Sequence, residues 1–192
     1  MRKSLALGLL ALAGTAFIAQ GSIGLQEPSI AGSNGNFTWN YSGTVFSGET
    51  VTTGSFFTIY DFGSITPGSN SQPAGWTLST NTTGITPIGT PTVKDNPAIP
   101  NLTWTYNGPS IVGNNTIGNL GTFSVITNTN QVRDGEFAAQ ATSSNQGSAD
   151  FTQRNVGVPV PEASTLLPIV SVCGAAVAAG IPSFLRRRRK SR

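Results

Sequence analysis

The sequence has no histidine and only one cysteine among its 192 residues. Without histidine, a His-dependent catalytic triad is excluded and the commonest zinc ligand is missing. The single cysteine, Cys173, lies in an apolar run near the C-terminal end, so the rest of the chain has neither a thiol nucleophile nor a disulfide. We therefore predict no metal centre and no cofactor.

Charged residues are also scarce, at 10% of the sequence, and they are unevenly distributed. The net charge of +3 comes from the two ends of the chain. In residues 22–158, three basic side chains (Lys94, Arg133 and Arg154) stand against seven acidic ones, which gives this part a net charge of −4. Because such a surface repels phosphate, we expect no nucleic-acid partner.

The first long apolar segment is at the N-terminus. Arg2 and Lys3 precede the run LALGLLALAGTAFIA, residues 5–19, which is short for a membrane span and is followed by small residues. This pattern predicts a secretory signal peptide over residues 1–21, with cleavage before Ser22 or at an earlier pair of small residues. An uncleaved N-terminal anchor is the alternative interpretation.

The second apolar segment is near the C-terminus. Residues 166–185 include no charge, and at about 1.5 Å per residue a helix of this length crosses the hydrocarbon core of a membrane. Five consecutive basic residues follow: Arg186, Arg187, Arg188, Arg189 and Lys190. By the positive-inside rule, we predict a transmembrane helix over 166–185, a cytoplasmic tail over 186–192 and a body outside the cytoplasm.

A short motif precedes this segment: Pro161, Glu162, Ala163 and Ser164. The order of Pro-Glu motif, apolar span and arginine cluster in residues 160–192 resembles the PEP-CTERM sorting signal of bacterial envelope proteins, with Ala163 where the usual motif has a second proline. The resemblance implies recognition near Pro161 by exosortase, a membrane-embedded cysteine protease, and an association with exopolysaccharide. Residues 159–165 are then motif and linker.

Residues 22–158 are rich in Gly, Ser, Thr and Asn, and no window has helical periodicity over several turns. Apolar and polar residues instead alternate as in a half-buried strand, for example in NFTWNYSG, residues 36–43. Seven strands are predicted: 36–43, 55–62, 75–80, 101–108, 121–127, 136–143 and 149–156. With fourteen aromatic residues available for a core, this pattern predicts an all-β fold, an antiparallel β-sandwich or jelly roll.

Turn residues separate these strands. Asn34-Gly35 and Asn107-Gly108 suit positive backbone angles, whereas Pro67-Gly68 and Asn96-Pro97 indicate loops, and a long loop is predicted over 63–72. Two of the strands share the pattern N-[FL]-T-W-x-Y-[SN]-G, which indicates either a duplicated half-domain or convergence of unrelated strands.

Three tryptophans, Trp39, Trp76 and Trp104, have two interpretations. On an exposed sheet face the indoles would stack on sugar rings, and in the interior they would fill the core. Apolar neighbours on the same strand face favour burial.

The acidic residues do not form a recognisable motif. Asp134-Gly135-Glu136 resembles a fragment of a calcium loop but lacks the other ligands, so a solvated turn is favoured. A hydrolase would need two facing carboxylates, and the sequence singles out no pair. We therefore predict a non-enzymatic surface or matrix protein, exported and anchored in the inner membrane before release or transfer. The alternatives are a carbohydrate-binding module and a carboxylate-dependent hydrolase.

Overall fold

The computed structural model describes residues 22–113 and 118–161 of the chain. These residues form eleven β-strands and no helix: β1 Ile23–Leu25, β2 Ser29–Ser33, β3 Asn36–Val45, β4 Glu49–Val51, β5 Phe56–Ile59, β6 Trp76–Asn81, β7 Asn101–Tyr106, β8 Ile111–Val112, β9 Gly118–Thr127, β10 Val132–Ser143 and β11 Ala149–Pro159. All seven strands predicted from the alternation are present, and the all-β prediction is confirmed. The structure adds four short strands, β1, β2, β4 and β8.

The strands form two antiparallel sheets. In the smaller sheet, β3 pairs with β1, β2 and β9. In the larger sheet the order is β6-β7-β5-β10-β4-β8, and β11 pairs with β10. The β10–β11 ladder is continuous from Val132↔Pro159 to Thr142↔Ala149, so the last two strands form one long hairpin.

Aromatic side chains from both sheets meet in one hydrophobic core. Phe57 of β5 stacks on Trp104 of β7, its direct cross-strand partner, with ring centroids 5.1 Å apart. Phe123 of β9, in the other sheet, places its ring edge-on against Phe57, Trp76 and Trp104 at 4.8, 5.1 and 5.7 Å. Each such pair adds about 0.5–1.5 kcal/mol beyond the burial of its area, so this cluster holds the two sheets together.

A second group of rings fills another part of the core. Phe62, which follows β5, packs edge-on against Trp39 and Tyr41 of β3 at 6.0 and 6.3 Å. The indole nitrogen of Trp39 donates to the hydroxyl of Thr127 and to the carbonyl of Thr129, both at 3.0 Å. Trp39 is thus both a packing element and a polar link from β3 to the end of β9.

The turn between β2 and β3 agrees with the prediction. Asn34 and Gly35 have φ angles of 54° and 74°, the pair of positive angles that a tight type I′ hairpin turn requires. Pro67-Gly68 and Asn96-Pro97 lie in loops, and residues 63–72 form a long connection without a regular strand, as predicted.

The prediction for Asn107-Gly108 is wrong, because neither residue has a positive φ. Glycine is needed there for a steric reason: a Cβ on Gly108 would lie 2.5 Å from the hydroxyl oxygen of Tyr106. That hydroxyl donates to the carbonyl of Pro109 at 2.6 Å and closes the end of β7. The two similar stretches also lie in different sheets, since β3 belongs to the smaller one and β7 to the larger one.

The last strand is joined to the beginning of the described chain. The backbone N–H of Gly157 in β11 donates to the carboxylate of Glu27 at 2.9 Å, and its carbonyl accepts from the hydroxyl of Tyr41 at 2.8 Å. Burial, and then the charge of Glu27, raise the pKa of Tyr41, so its hydroxyl remains a neutral donor. These contacts occupy backbone groups of β11 that its pairing with β10 leaves free.

A long connection without a regular strand, residues 82–100, joins β6 to β7. The carboxylate of Asp95 accepts from the N–H of Gly84 and from the side-chain amide of Asn101, both at 3.0 Å. The hydroxyls of Thr58 and Tyr60 both donate to the carbonyl of Ile85 at 2.8 Å. This loop is therefore fixed at its base against β5 and β7.

The predicted signal peptide, residues 1–21, the predicted transmembrane helix, 166–185, and the basic tail lie outside the described residues. Within 22–113 and 118–161, no helix is long and apolar enough to cross a membrane. The chain divides into two compact units, of which the first ends at Val160 and the second begins at Pro161.

Candidate functional site

The structure places all three tryptophans in the core. Trp39 and Trp104 are fully buried, and Trp76 is 4% exposed. No indole face is therefore available to a sugar ring, and the interpretation of these three residues as a sugar-stacking platform is corrected. All three side chains are buried, which is the interpretation that their apolar neighbours favoured.

The predicted turn at Asp134-Gly135-Glu136 is also corrected. The three residues lie inside β10 and pair with Gly157, Val156 and Asn155 of β11. A Cβ on Gly135 would lie 2.7 Å from the side chain of Val158, so the glycine is required by close packing within the hairpin. An extended strand directs successive side chains to opposite faces, and this segment therefore does not form the tight loop that encloses a calcium ion.

The structure describes only the first residue of the predicted sorting motif. Pro161 is the last described residue, two positions after the end of β11. Glu162, Ala163 and Ser164, and the predicted membrane stop from Arg186 to Lys190, lie outside the described residues.

A groove of about 420 Å³, which we name the outer groove, lies beside the β10–β11 hairpin and the loop 82–100. Pro91 and Phe151 supply apolar surface, and Glu136, Gln153 and Asn155 supply polar groups. The carboxylate of Glu136 accepts only long hydrogen bonds, at 3.3 Å from the N–H of Lys94 and 3.4 Å from the amide of Gln153. The side-chain oxygen of Gln153 is buried and has no hydrogen-bond partner. The outer groove therefore combines apolar walls with polar groups that are incompletely satisfied, as small-ligand sites do.

Two acidic residues, the buried Glu49 and the half-buried Asp150, lie outside the lining of the outer groove. Glu49 begins β4 and is only 4% exposed, and one of its carboxyl oxygens has no partner. Burial, and then the charge and the hydrogen bond of Asp150, raise the pKa of Glu49 from 4.5 to about 7. We call these two residues the carboxyl pair.

The position of the carboxyl pair differs from that of the two carboxyl groups of a glycosidase, which line the site that holds the sugar. Retaining and inverting glycosidases hold their two carboxyl groups about 5–9.5 Å apart so that a sugar or a water fits between them. Neither residue of the pair lines the outer groove or the second groove, which lies between Ile65, Leu78 and Pro100. The pair therefore does not supply the arrangement that the hydrolase hypothesis needs.

Neither the outer groove nor the carboxyl pair was identified from the sequence. Glu49 belongs to a strand of three residues, and its partner comes from the last strand of the fold, so no local pattern connects them. The outer groove depends on where the irregular loop 82–100 lies, and its residues carry no motif. Only the alternation in residues 149–156, which puts Phe151, Gln153 and Asn155 on one face, was a usable signal.

Within the described residues, no three acidic, histidine or cysteine side chains gather in a way that could hold a metal ion. No protein-family model matches this chain, and no curated protein matches it significantly.

Proposed function

We propose that this protein is a non-enzymatic component of the bacterial cell surface or extracellular matrix, exported by its N-terminal segment and sorted through its C-terminal segment. Its body is a β-sandwich, since two antiparallel sheets share one core between them. The observation that carries the proposal is the position of the predicted motif: β11 ends at Pro159, the first compact unit ends at Val160, and the Pro-Glu motif begins at the next residue.

This position suits a protease that reads an extended chain. Pro159 and Pro161 each fix a backbone φ angle and disfavour helix in the residue before them. Glu162 then offers a single carboxylate directly beyond the folded body. The apolar residues 166–185 and the basic cluster after them would hold this site close to the membrane, where exosortase acts in the family that the motif resembles.

The sorting proposal is tested in the host by replacing Glu162. We expect Glu162→Ala and Glu162→Gln to leave the full-length precursor in the inner membrane, because both remove the carboxylate while the folded body is unchanged. The measurement is the mass and the membrane fraction of the mature protein, with Ser191→Ala in the tail as the control. Normal processing of both Glu162 variants would remove this residue from the recognition mechanism.

A second candidate function is carbohydrate binding, and the outer groove is the feature that favours it. Sugars present both apolar ring faces and hydroxyl groups, and the groove offers Pro91 and Phe151 beside Glu136, Gln153 and Asn155. This assignment replaces the tryptophan platform that the sequence had suggested.

Carbohydrate binding is tested by calorimetric titration of the protein with the exopolysaccharide of its host. We expect heat of binding that is lost in Phe151→Ala and in Glu136→Gln and kept in Thr77→Ala, which changes an exposed residue of β6. No heat for the wild type would leave the passive scaffold as the function, whereas equal heats for all four proteins would place the carbohydrate site outside the outer groove.

A further inference from the structure

β6 is an edge strand of the larger sheet, and one of its two sides is unpaired. Its residues, Trp76–Asn81, pair with β7 in one uninterrupted register, and no other strand of the described residues pairs with it. An edge strand presents N–H and C=O groups to which a further strand can bind. Proteins usually protect such an edge with charged side chains, prolines or bulges. β6 has none of these three protections.

The register shows which backbone groups of β6 are free. Both backbone groups of Tyr106 in β7 are bonded to the segment that leads into β5, so they point away from β6. Because this direction alternates along an antiparallel strand, Thr103 points toward β6, where it pairs with Ser79. The two neighbours of Ser79, Leu78 and Thr80, therefore direct their N–H and C=O groups away from β7. Within the described residues, these groups have no hydrogen-bond partner.

The second groove lies along the same edge. It has a volume of about 360 Å³ and is lined by Leu78 and Thr80 of β6, by residues of the loop 63–72 and by Pro100. Leu78 and Thr80 are two positions apart, so their side chains lie on one face of β6. Ile65 and Leu78 make the wall partly apolar, and no charged residue among those described lines the groove. A strand added to β6 would therefore place a side chain of its own at this groove.

The distribution of charge favours a second copy of this chain as the added strand. Residues 22–158 have a net charge of −4, so two folded bodies repel one another over most of their surface. Residues 62–93, which include β6 and the loop that lines the second groove, have no charged side chain. Two copies that meet at β6 therefore bring together segments that do not repel.

We propose that β6 pairs in antiparallel orientation with β6 of a second copy, about a twofold axis at Ser79. In this register Leu78 of each copy lies opposite Thr80 of the other, and each such pair exchanges both of its backbone hydrogen bonds. Residues directly opposite one another share a face of the sheet, so Leu78 of one copy lies at the second groove of the other. The interface is self-complementary, as a twofold dimer requires.

This dimer would join the larger sheets of two copies into one continuous sheet. The proposal goes beyond export and sorting, because it depends only on the folded body. Its tests and the Glu162 variants can therefore fail independently of one another.

Two cysteine variants of the purified full chain in detergent test the register. Both carry Cys173→Ser, so that no other thiol is present. In the dimer Ser79 faces its own copy in a pair without hydrogen bonds, with Cα atoms about 4.5 Å apart, which suits a disulfide. Thr77 is exposed on the same face of β6, but it would lie four residues from its copy, or about 14 Å away, which is too far. We expect mild oxidation to give a dimer of Ser79→Cys that a reductant reverses, and to leave Thr77→Cys monomeric.

Thr80→Pro tests the hydrogen bonds without a new thiol. Proline is tolerated on an edge strand where the N–H faces solvent, so this change removes a group offered to the second copy and leaves the pairing with β7 intact. We expect the mass of the protein measured by light scattering to fall from dimer to monomer. Tryptophan fluorescence should stay that of the wild type, which shows that the body is folded. Thr77→Ala is the matched control and should remain dimeric.

Three results would overturn the proposal. A monomeric wild type without a cross-link in Ser79→Cys would leave the edge of β6 to a partner of another sequence. Equal cross-linking of Ser79→Cys and Thr77→Cys would mean that the copies meet elsewhere, for example through residues 166–185. A folded Thr80→Pro variant that keeps the mass of a dimer would show that the free backbone groups of β6 do not form the interface.

Discussion

Trp39 and Trp104 occupy the same position in the two similar strand sequences, and both are fully buried. Their indole nitrogens differ, since that of Trp39 has two acceptors and that of Trp104 has none. Replacement by phenylalanine removes similar ring volume at both sites. Only Trp39→Phe also deprives Thr127 and Thr129 of a donor, whereas Trp104→Phe removes an unsatisfied buried N–H.

We therefore expect Trp39→Phe to lower the free energy of unfolding by about 1–2 kcal/mol more than Trp104→Phe does. Urea unfolding of the two variants, followed by far-ultraviolet circular dichroism, measures this difference. Equal losses at both positions would mean that packing alone determines the role of Trp39.

Glu49 makes the free energy of unfolding fall as the pH rises. Its pKa is about 7 in the folded protein and 4.5 as the ordinary value, so the folded state holds the proton more tightly than the unfolded state. Between these two values the folded state binds more protons, and stability must fall as the pH rises. The contribution of Glu49 is fully present below about pH 4.5 and is lost above about pH 7.

The test compares the wild type with Glu49→Gln between pH 4.5 and pH 8. We expect the wild type to lose stability relative to Glu49→Gln as the pH is raised from 4.5 to 7, and the variant to be the more stable protein at pH 8. The measurement is the urea midpoint of both proteins at each pH. Parallel pH profiles would show that Glu49 has an ordinary pKa.

At the scale of elements, the β2–β3 hairpin contains two glycines with different functions. Gly35 has a φ of 74° and open space where a Cβ would be. Gly32 has a φ of 133°, and its Cβ would lie 2.0 Å from the carbonyl oxygen of Asn36 in the partner strand. Gly35 is required by the turn angle alone. Gly32 is required by its backbone angle and by the close approach of the two strands.

Gly35→Ala is expected to cost about 1–2 kcal/mol, the penalty of a left-handed conformation for an L-residue. Gly32→Ala is expected to cost clearly more, because β2 must move away from β3. Urea unfolding of the two variants ranks them, and hydrogen exchange of residues 29–33 locates the damage. A larger cost for Gly35→Ala would contradict this assignment.

The sequence predicted those elements whose side chains alternate over enough residues. β3 and β9 run for ten residues each with one buried face, so their period is readable. β4 and β8 have three and two residues, which is too short for a period, and β2 is exposed at four of its five residues. Each of these three strands forms because a longer neighbouring strand supplies its backbone hydrogen bonds. No pattern within the short segment itself indicates that pairing.

The same reasoning applies to the candidate sites. Burial of Trp39, Trp76 and Trp104 followed from their apolar neighbours, which the sequence does show. The extended conformation of Asp134-Gly135-Glu136 could not be predicted in this way, because acidic residues beside glycine usually indicate a turn. Pairing with β11 holds this segment in a strand instead. The carboxyl pair depends on the register of β4, β10 and β11, and only the folded sheet fixes that register.

At the scale of the whole molecule, the first compact unit holds the entire described core and ends at Val160. We expect a chain of residues 22–160 to fold without the segments on either side, and to unfold in one cooperative transition. Because all three tryptophans are buried, its fluorescence should shift to the red on unfolding. Red-shifted emission in buffer, without a transition in urea, would mean that the flanking segments are needed for folding.

The hydrogen bonds that join Gly157 to Glu27 and Tyr41 connect the beginning and the end of the described chain. The hydrogen bond from Gly157 to Glu27 spans 130 positions of the chain. Gly157 lies in β11, the last strand of the described residues, so it is synthesised long after Glu27. Contacts this distant close late and slowly. Until Gly157 has emerged from the ribosome, Glu27 and Tyr41 therefore lack the partners that they have in the folded protein.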